Sequence, residues 1–366
     1  MHSSCTLAQA RWAPAGQGDD FTTAKAVVLS RSDIFADALG GAALAAAKQG
    51  PLLLTPPTGL NLDTKTEIQR VLGSSGEIYV LGSPTAISAG VVTQLTGLGY
   101  HVDRISGPDR YQTSIAIADT ITKTPDQVLV STGLNFPDAL SAGAAAGSYD
   151  SPGASAVGFP SSVVILSKDT ALPAPTLTYL NGHKAAAEMF GIGNQAWTAL
   201  QNNGLGDTIQ SVKLAGANRY ETSAAVAQWF FSGNMVQAGL ATGFNWPDAL
   251  GGGAFMGSIF GPMVLTAPVN NYWKPASSLF SSASGSLTFA YGFGASNVLA
   301  DSLLTDLGRI MSGPAGFVPP APSGVSPLAK RANAAGGQSV LTPTRTPLVQ
   351  PKLNHPSTRA KRFDNH

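Results

Sequence analysis

The stretch NFPDALSAG at 135–143 decides the fold, because the chain repeats it. Residues 245–253 read NWPDALGGG, and residues 34–42 read IFADALGGA. The aspartates of the three copies are 101 and 110 residues apart. Self-similarity at such a period indicates a repeated structural unit. The sequence therefore predicts three modules of about a hundred residues each, a usual size for a domain.

Two further motifs recur at the same period. GPDRYQTSIAIA at 107–118 returns as GANRYETSAAVA at 216–227. The three copies at 34–42, 135–143 and 245–253 are called corners here, because each is expected where a strand leads into a helix. Each corner is followed by an apolar run that ends in a shared glycine, namely Gly82, Gly193 or Gly294. The distance from the corner aspartate to this glycine is longest in the middle copy. Residues 148–161 are therefore predicted to be an insertion.

Each copy alternates between strand-like and helix-like segments. DQVLVSTG at 126–133 is a β-branched apolar run ended by glycine, which is typical of a buried strand. The corner and an Ala/Gly-rich helix follow, and then further apolar runs such as SVVILS at 162–167 alternate with helical segments. Strands separated by helices pair in parallel through right-handed crossovers. The predicted fold class is α/β, with a parallel sheet in each module.

The RYQT and RYET segments have the pattern of a helix N-terminus. Each N-cap residue has a capping-box partner three residues on, and the pairs are Asp109 with Gln112 and Asn218 with Glu221. Arg110 and Arg219 fall in the first turn, where the helix dipole disfavours a cation. Each arginine is therefore predicted to approach a corner aspartate, since arginine binds a carboxylate through two hydrogen bonds. Tyr111 and Tyr220 lie on the apolar face of the same helices.

The corners also contain residues that suit a strand-to-helix turn. Asparagine side chains close turns, proline suits the first helical turn, and aspartate favours its positive end. For each of these residues a structural role and direct ligand contact remain alternatives. The candidate site residues are Asp37, Arg110, Tyr111, Asn135, Asp138, Arg219, Tyr220, Asn245 and Asp248.

The charge of the chain is unevenly distributed between its body and its C-terminal segment. The 366 residues are 43% apolar and only 12% charged, with a net charge of +1. Residues 313–366 contain seven basic residues and one acidic residue, so this Pro-rich segment carries +6 and the rest of the chain −5. A mildly acidic body argues against a nucleic acid partner. The segment lacks periodicity, and we predict that 312–366 is a disordered tail.

The N-terminal residues carry few signals. Cys5 is the one cysteine, which excludes an intrachain disulfide and a cysteine-based metal cluster. The sequence contains no apolar run long enough to span a membrane. Ala8-Gln9-Ala10 has the pattern of a signal-peptidase site without the apolar segment that precedes one. Residues 1–23 are interpreted as an unstructured remnant, either the end of a signal peptide or a chance similarity.

These motifs resemble the bacterial cell wall binding repeat 2 family, whose repeats combine an RYETA-like segment, an FPDALSAGPLA-like corner and a VYVLGG-like strand. The resemblance covers roughly residues 24–310. It implies three Rossmann-like modules in a pseudo-threefold arrangement within one monomer. It also implies an exported, cell wall-associated protein that binds an anionic wall polymer or glycan without a cofactor. The first repeat departs from the pattern, because only Arg11-Trp12 lies near the position of its RYET segment.

The predicted module bounds follow from the repeats. Repeat 1 is assigned to residues 24–105, repeat 2 to 106–213 and repeat 3 to 214–311. The resemblance implies a noncatalytic wall-binding protein, which is the first hypothesis.

Two alternatives remain. An accessory or truncated part of a peptidoglycan amidase is one, although His101 and His183 stand outside any HExxH motif. A nucleotide-binding protein is the other, because GIGNQA at 191–196 follows an apolar run like a phosphate loop.

Overall fold

The chain folds into three α/β modules. The structure, a computed structural model, describes residues 2–312 apart from 21, 157, 233–234, 268–272, 284–285 and 297, together with the backbone of Lys330–Arg331. The first module comprises α1 (His2–Arg11), β1 (Ala26–Arg31), α2 (Gly41–Ala47), β2 (Leu52–Thr55), α3 (Leu62–Leu72), β3 (Glu77–Leu81), α4 (Ala89–Gly97) and β4 (His101–Ile105).

The second and third modules repeat this order. The second comprises α5 (Arg110–Ile121), β5 (Gln127–Thr132), α6 (Pro137–Asp150), α7 (Pro152–Ala156), β6 (Ser162–Ser167), α8 (Ala174–His183), β7 (Glu188–Ile192), α9 (Asn194–Gln201) and β8 (Ser211–Leu214). The third comprises α10 (Arg219–Phe231), β9 (Gln237–Thr242), α11 (Pro247–Ser258), β10 (Met263–Thr266), α12 (Trp273–Ser282), β11 (Phe289–Phe293), α13 (Asp301–Ser312) and β12 (Lys330–Arg331).

Each module contains a four-stranded sheet, and the predicted parallel pairing is confirmed. The strand orders are β2-β1-β3-β4, β6-β5-β7-β8 and β10-β9-β11-β12. All pairs are parallel except β11 with β12. Every residue of β5 and β6 is buried. Helices cover both faces of a parallel sheet, which is why these strands are apolar throughout.

The C-terminal segment was predicted to be disordered. Within it the structure describes Ser312, the last residue of α13, and the strand Lys330–Arg331, which pairs with β11. In the other two sheets the same edge position belongs to β4 and β8, which pair in parallel. The rest of 313–366 lies outside the described residues.

The corner helices α2, α6 and α11 pack against one another around a common axis, which confirms the pseudo-threefold arrangement. Five and nine residues after each corner aspartate, two layers of small residues meet: Ala42, Gly143 and Gly253, then Ala46, Gly147 and Gly257. The backbones approach closely there. A methyl group on Gly147 would lie 2.8 Å from the Cβ of Ala46 and 3.3 Å from the carbonyl oxygen of Ala42.

The RYQT and RYET helices join neighbouring modules. Helix α5 packs on β6 and α8 of its own module and on α2 of the preceding one, and α10 packs likewise on β10, α12 and α6. A serine on each helix accepts a hydrogen bond from a strand. The Leu166 N–H donates to Ser114 Oγ at 3.2 Å, and the Leu265 N–H donates to Ser223 Oγ at 2.9 Å.

Helix α1 is the third member of this set and closes the ring. It packs on β2 and α3 of its own module and on α11 of the last one. Ser4 Oγ accepts from the Leu54 N–H, just as Ser114 and Ser223 do in their modules. The prediction of an unstructured N-terminal remnant is therefore wrong. Neighbouring elements cover the apolar face of α1, so that its residues Cys5, Leu7 and Ala8 are buried, as is Trp12 directly after the helix.

Arg11 does not take the place that Arg110 and Arg219 have in their helices. Arg110 lies four residues before Ser114, whereas Arg11 lies seven residues after Ser4. Arg11 is at the other end of α1, where its Nε donates to Ser258 Oγ at 2.9 Å. Burial lowers the pKa of Arg11 to about 10. Arg11 therefore links the first module to the third through its hydrogen bond to Ser258.

The predicted insertion lengthens α6 and adds α7. Its aromatic residues pack at the junction with the third module, where the ring centroids of Tyr149 and Phe260 are 5.8 Å apart and those of Phe159 and Phe260 are 4.9 Å apart. The Tyr149 hydroxyl donates to the carbonyl oxygen of Phe230 at 3.1 Å. The insertion therefore strengthens one junction of the ring.

Candidate functional site

The three corner loops lie at equivalent positions in their sheets. Each follows a central strand (β1, β5 or β9), whereas the loop with the shared glycine follows the neighbouring strand (β3, β7 or β11). The chain runs first to one side of the central strand and then to the other, which makes this a topological switch point. Open α/β sheets bind ligands in the crevice at such a point. Each module therefore has one candidate crevice.

The shared glycine of each module contacts the corner aspartate. A methyl group on Gly193 would overlap Asp138 Oδ2 and lie 2.8 Å from its Cγ, and one on Gly82 would lie 2.7 Å from Asp37 Oδ2. The corresponding distance from Gly294 to Asp248 is 3.2 Å. All three glycines have a positive φ, between 85° and 130°. The motif requires glycine both for the backbone conformation and to accommodate the carboxylate.

The two motif arginines bond to corner carbonyls. Arg110 Nη1 donates to the carbonyl oxygen of Gly133 at 2.7 Å, and Arg219 Nη1 donates to that of Gly243 at 2.5 Å. Their guanidinium carbons also lie 6.0 Å and 5.8 Å from the ring centroids of Phe35 and Phe136, which belong to the preceding modules. The predicted partner was a corner carboxylate. The structure gives the arginines carbonyls instead, because the chain bends there and these oxygens need donors.

Arg219 still acts on Asp138 across the module boundary. Burial raises the pKa of Asp138 to about 6, and the positive charge of Arg219 partly offsets this rise. Asp138 belongs to the second module and Arg219 to the third. The crevice of one module and the first helix of the next are therefore electrostatically coupled.

We expect Arg219→Gln to raise the pKa of Asp138 further, because it removes the charge that favours the carboxylate.

The raised pKa of Asp138 also predicts a pH dependence of stability. Its pKa is about 6 in the folded protein and about 4 in an unfolded chain, so the folded protein binds more protons than the unfolded chain between these pH values. Stability should thus fall as pH rises from about 4 to 6, by at most roughly 3 kcal/mol, and Asp138→Asn should abolish this dependence.

Carboxyl carbon NMR titration measures the pKa of Asp138 directly. Arg110→Gln is the matched control, because Arg110 makes the same carbonyl contact at the preceding junction. An unchanged or lower pKa in Arg219→Gln would contradict the coupling.

The tyrosines of the motif are core residues that shape the corner. Tyr111 is 8% exposed and Tyr220 is 4% exposed. Cβ atoms on Gly133 and Gly243 would lie 3.1 Å and 2.8 Å from the Cε1 atoms of Tyr111 and Tyr220. Burial raises the pKa of Tyr111. Sequence reasoning treated Gly133 only as the end of a strand and named neither Gly133 nor Gly243 as a site residue, although each ends an apolar run at the same offset from its corner.

The corner asparagines are exposed and ordered by their own backbone. Asn135 Oδ1 accepts from the Phe136 N–H at 2.9 Å, and Asn245 Oδ1 accepts from the Trp246 N–H at 3.0 Å. Ligand contact by these and the other candidate residues stays a prediction.

The corners converge at one end of the axis through their aromatic residues. The ring centroid of Phe35 lies 5.6 Å from that of Phe136 and 6.5 Å from that of Trp246. Around these rings the corner loops expose apolar side chains that sequence reasoning missed: Ile34 is 43% exposed, Leu134 52% and Phe244 61%. This end of the molecule thus presents exposed apolar and polar side chains from its three corner loops.

The first corner differs from the others in its charge pattern. Arg31 replaces the threonines whose Oγ1 atoms accept from the N–H groups of Leu134 and Phe244. Arg31 Nε and Nη2 donate to the two carboxylate oxygens of Asp33 at 2.7 Å and 2.8 Å. This bond holds the pKa of Asp33 below its usual value.

Comparison with protein families identifies the repeats. The model of cell wall binding domain 2 (CWB2) matches residues 11–92, 104–189 and 213–304. This chain belongs to the CWB2 family. The three matches cover the three modules in order, which confirms the resemblance seen in the motifs. Family membership indicates association with the cell wall.

Two curated relatives come from Bacillus subtilis (strain 168). N-acetylmuramoyl-L-alanine amidase LytC is 25% identical over 249 residues, which are 67% of this chain and 46% of LytC. The Amidase enhancer is 30% identical over 203 residues, which are 55% of this chain and 25% of that protein. The CWB2 chain thus spans less than half the length of either relative.

Solved structures share the fold. Cwp8 from Clostridium difficile superposes with a TM-score of 0.70 at 24% identity, covering 84% of this chain and 50% of Cwp8. Cwp6 from the same organism gives 0.63 at 20% identity, covering 78% and 43%.

The described residues lack two kinds of feature. They contain no group of three His, Cys, Asp or Glu side chains that could hold a metal ion. None of the helices they form combines the length and apolar character needed to cross a membrane.

Proposed function

We propose that this CWB2 chain is a noncatalytic anchor that holds an exported protein at the cell wall by binding a wall polymer at its three corners. The observation that carries the proposal is that three equivalent corners surround one end of a single axis. A polymer offers the same chemical group many times. Three matching sites on one rigid monomer can therefore engage one strand or neighbouring strands with a gain in avidity.

The alternative of a nucleotide-binding protein has less support. Its phosphate loop was predicted at 191–196, where Gly193 precedes α9. The Asp138 carboxylate lies against Gly193, in the position where such a loop would receive a phosphate. A carboxylate there repels an anion. The contact repeats in the other two modules, which favours a role in the fold.

The amidase alternative rests on the relatives, and this chain covers only part of each. The family that matches all three modules is a binding family. We therefore assign binding to this chain, and any hydrolysis to other proteins or domains.

Cosedimentation of the full chain with purified walls of Bacillus subtilis tests this function, because both curated relatives come from that organism. We expect the chain to pellet with walls, and wall turbidity to stay constant during the incubation. Walls stripped of their anionic polymers by acid, used in parallel, show which polymer is bound. Failure to pellet with either preparation would contradict binding, and a fall in turbidity would contradict a noncatalytic role.

A further inference from the structure

The corner face is defined here as the exposed side chains of Ile34, Leu134, Asn135, Phe244 and Asn245. We propose that it binds the uncharged sugar rings of a wall glycan, with the apolar side chains packed against the C–H faces of the sugars. This inference rests on the proposed function and names the ligand chemistry of the same site.

The apolar part of the face is unusual for this molecule. Five large apolar residues in the described chain are exposed, and three of them (Ile34, Leu134 and Phe244) lie on the three corner loops. The other two, Leu62 and Ile209, lie at the start of α3 and before β8. Scattered apolar residues need no explanation, whereas exposed apolar residues that come from all three corner loops around one axis mark a binding surface. A pyranose ring offers a matching C–H surface.

The polar part of the face suits hydroxyl groups. The Oδ1 atoms of Asn135 and Asn245 accept backbone hydrogen bonds, so the Nδ2 groups are the atoms left to donate to a ligand. The half-buried carboxylate of Asp138 lies beside the second corner and can accept from a hydroxyl. Apolar contact with a few well-placed polar groups is the usual composition of a small-molecule site.

The charge of the face argues against a contact made mainly with phosphate or carboxylate groups. Arg110 and Arg219 donate to carbonyl oxygens and lie over aromatic rings, and Arg31 is paired with Asp33. Each corner also carries an aspartate, at 37, 138 or 248. These three arginines therefore have internal partners, and within the described corner loops (31–37, 132–138 and 242–248) no other cation is present to complement a polyanion. Neutral sugars match this balance.

The test measures the affinity of the full chain for purified Bacillus subtilis walls. Leu134→Ser with Phe244→Ser is expected to weaken binding by about tenfold or more, because each substitution removes apolar area from the contact. Leu62→Ser with Ile209→Ser is the matched control, since these residues are as exposed but lie elsewhere, and it should bind like wild type. Thermal unfolding should be unchanged in both.

Two further variants distinguish sugar contact from charge contact. Phe244→Lys and Phe244→Glu should both weaken binding to a similar degree, and wild-type binding should change less than about twofold between roughly 0.05 and 0.5 M salt. Tighter binding by Phe244→Lys, or a steep loss of wild-type binding with salt, would overturn the inference. Wild-type binding that survives Leu134→Ser with Phe244→Ser would overturn the inference and leave the proposed function intact. If the wild-type chain does not bind walls at all, both the inference and the proposed function are overturned.

Discussion

Gly193→Ala is expected to lower the free energy of unfolding by about 3 kcal/mol or more, and two costs add to give this loss. The residue has a φ of 85°, which an alanine adopts only at a cost of about 1–3 kcal/mol. Its new methyl group would also overlap the Asp138 carboxylate. Relief requires that Asp138 leave the crevice or that the loop after β7 shift.

Gly204→Ala separates the two costs. Gly204 has a φ of 67°, and no atom lies within 4 Å of the position that its methyl group would occupy. It should lose only the conformational part, about 1 kcal/mol. Adding Asp138→Ala to Gly193→Ala should restore part of the loss by removing the overlap. Urea unfolding of the four proteins measures this, and equal losses in Gly193→Ala and Gly204→Ala would show that the carboxylate does not restrict the glycine.

Gly147→Leu is expected to prevent the modules from closing around the axis, with a loss of about 3 kcal/mol or more. A methyl group at this position already lies 2.8 Å from Ala46 Cβ, and Gly257 packs against the backbone of Gly147 from the third module. A leucine would therefore separate α6 from two helices at once. Since all three modules meet here, a local shift cannot relieve the strain.

Gly182→Leu is the control for the change of residue type. Gly182 lies in α8, and no atom lies within 4 Å of the place where a methyl group on it would sit. The helix should therefore gain up to about 1 kcal/mol from the loss of glycine. Calorimetry of both variants gives the comparison. A Gly147→Leu protein as stable as Gly182→Leu would contradict the close packing of the corner helices.

The modules could be predicted from the sequence because their signals are local. Apolar runs such as 126–133 and the repeated corner are read from neighbouring residues, and their period sets the number of modules. Asp109 was predicted as an N-cap, and its Oδ1 accepts from the Gln112 N–H at 2.8 Å. Such a contact spans three residues, so composition and spacing suffice to identify it.

The partners of the motif residues could not be predicted in this way. Arg110 was matched to a carboxylate on grounds of charge, yet it bonds to the carbonyl of Gly133, 23 residues away. Charge favours a carboxylate, whereas position depends on how α5 meets the corner. The exposed Leu134 and Phe244 were missed for a similar reason, since an apolar residue next to a strand has no sequence signal that it faces solvent.

The sequence by itself determined the repeat, the α/β class and the family, because each depends on patterns within one module. Only the tertiary structure decided how the ring closes. Helix α1 lacks the RYET motif, and its place became apparent from its packing on α11 and from the bond between Ser4 and Leu54, 50 residues apart. The tertiary structure likewise revealed why Gly193 must be glycine, since its contact with Asp138 joins two loops 55 residues apart. Contacts between distant segments depend on the assembled backbone, and no local pattern encodes them.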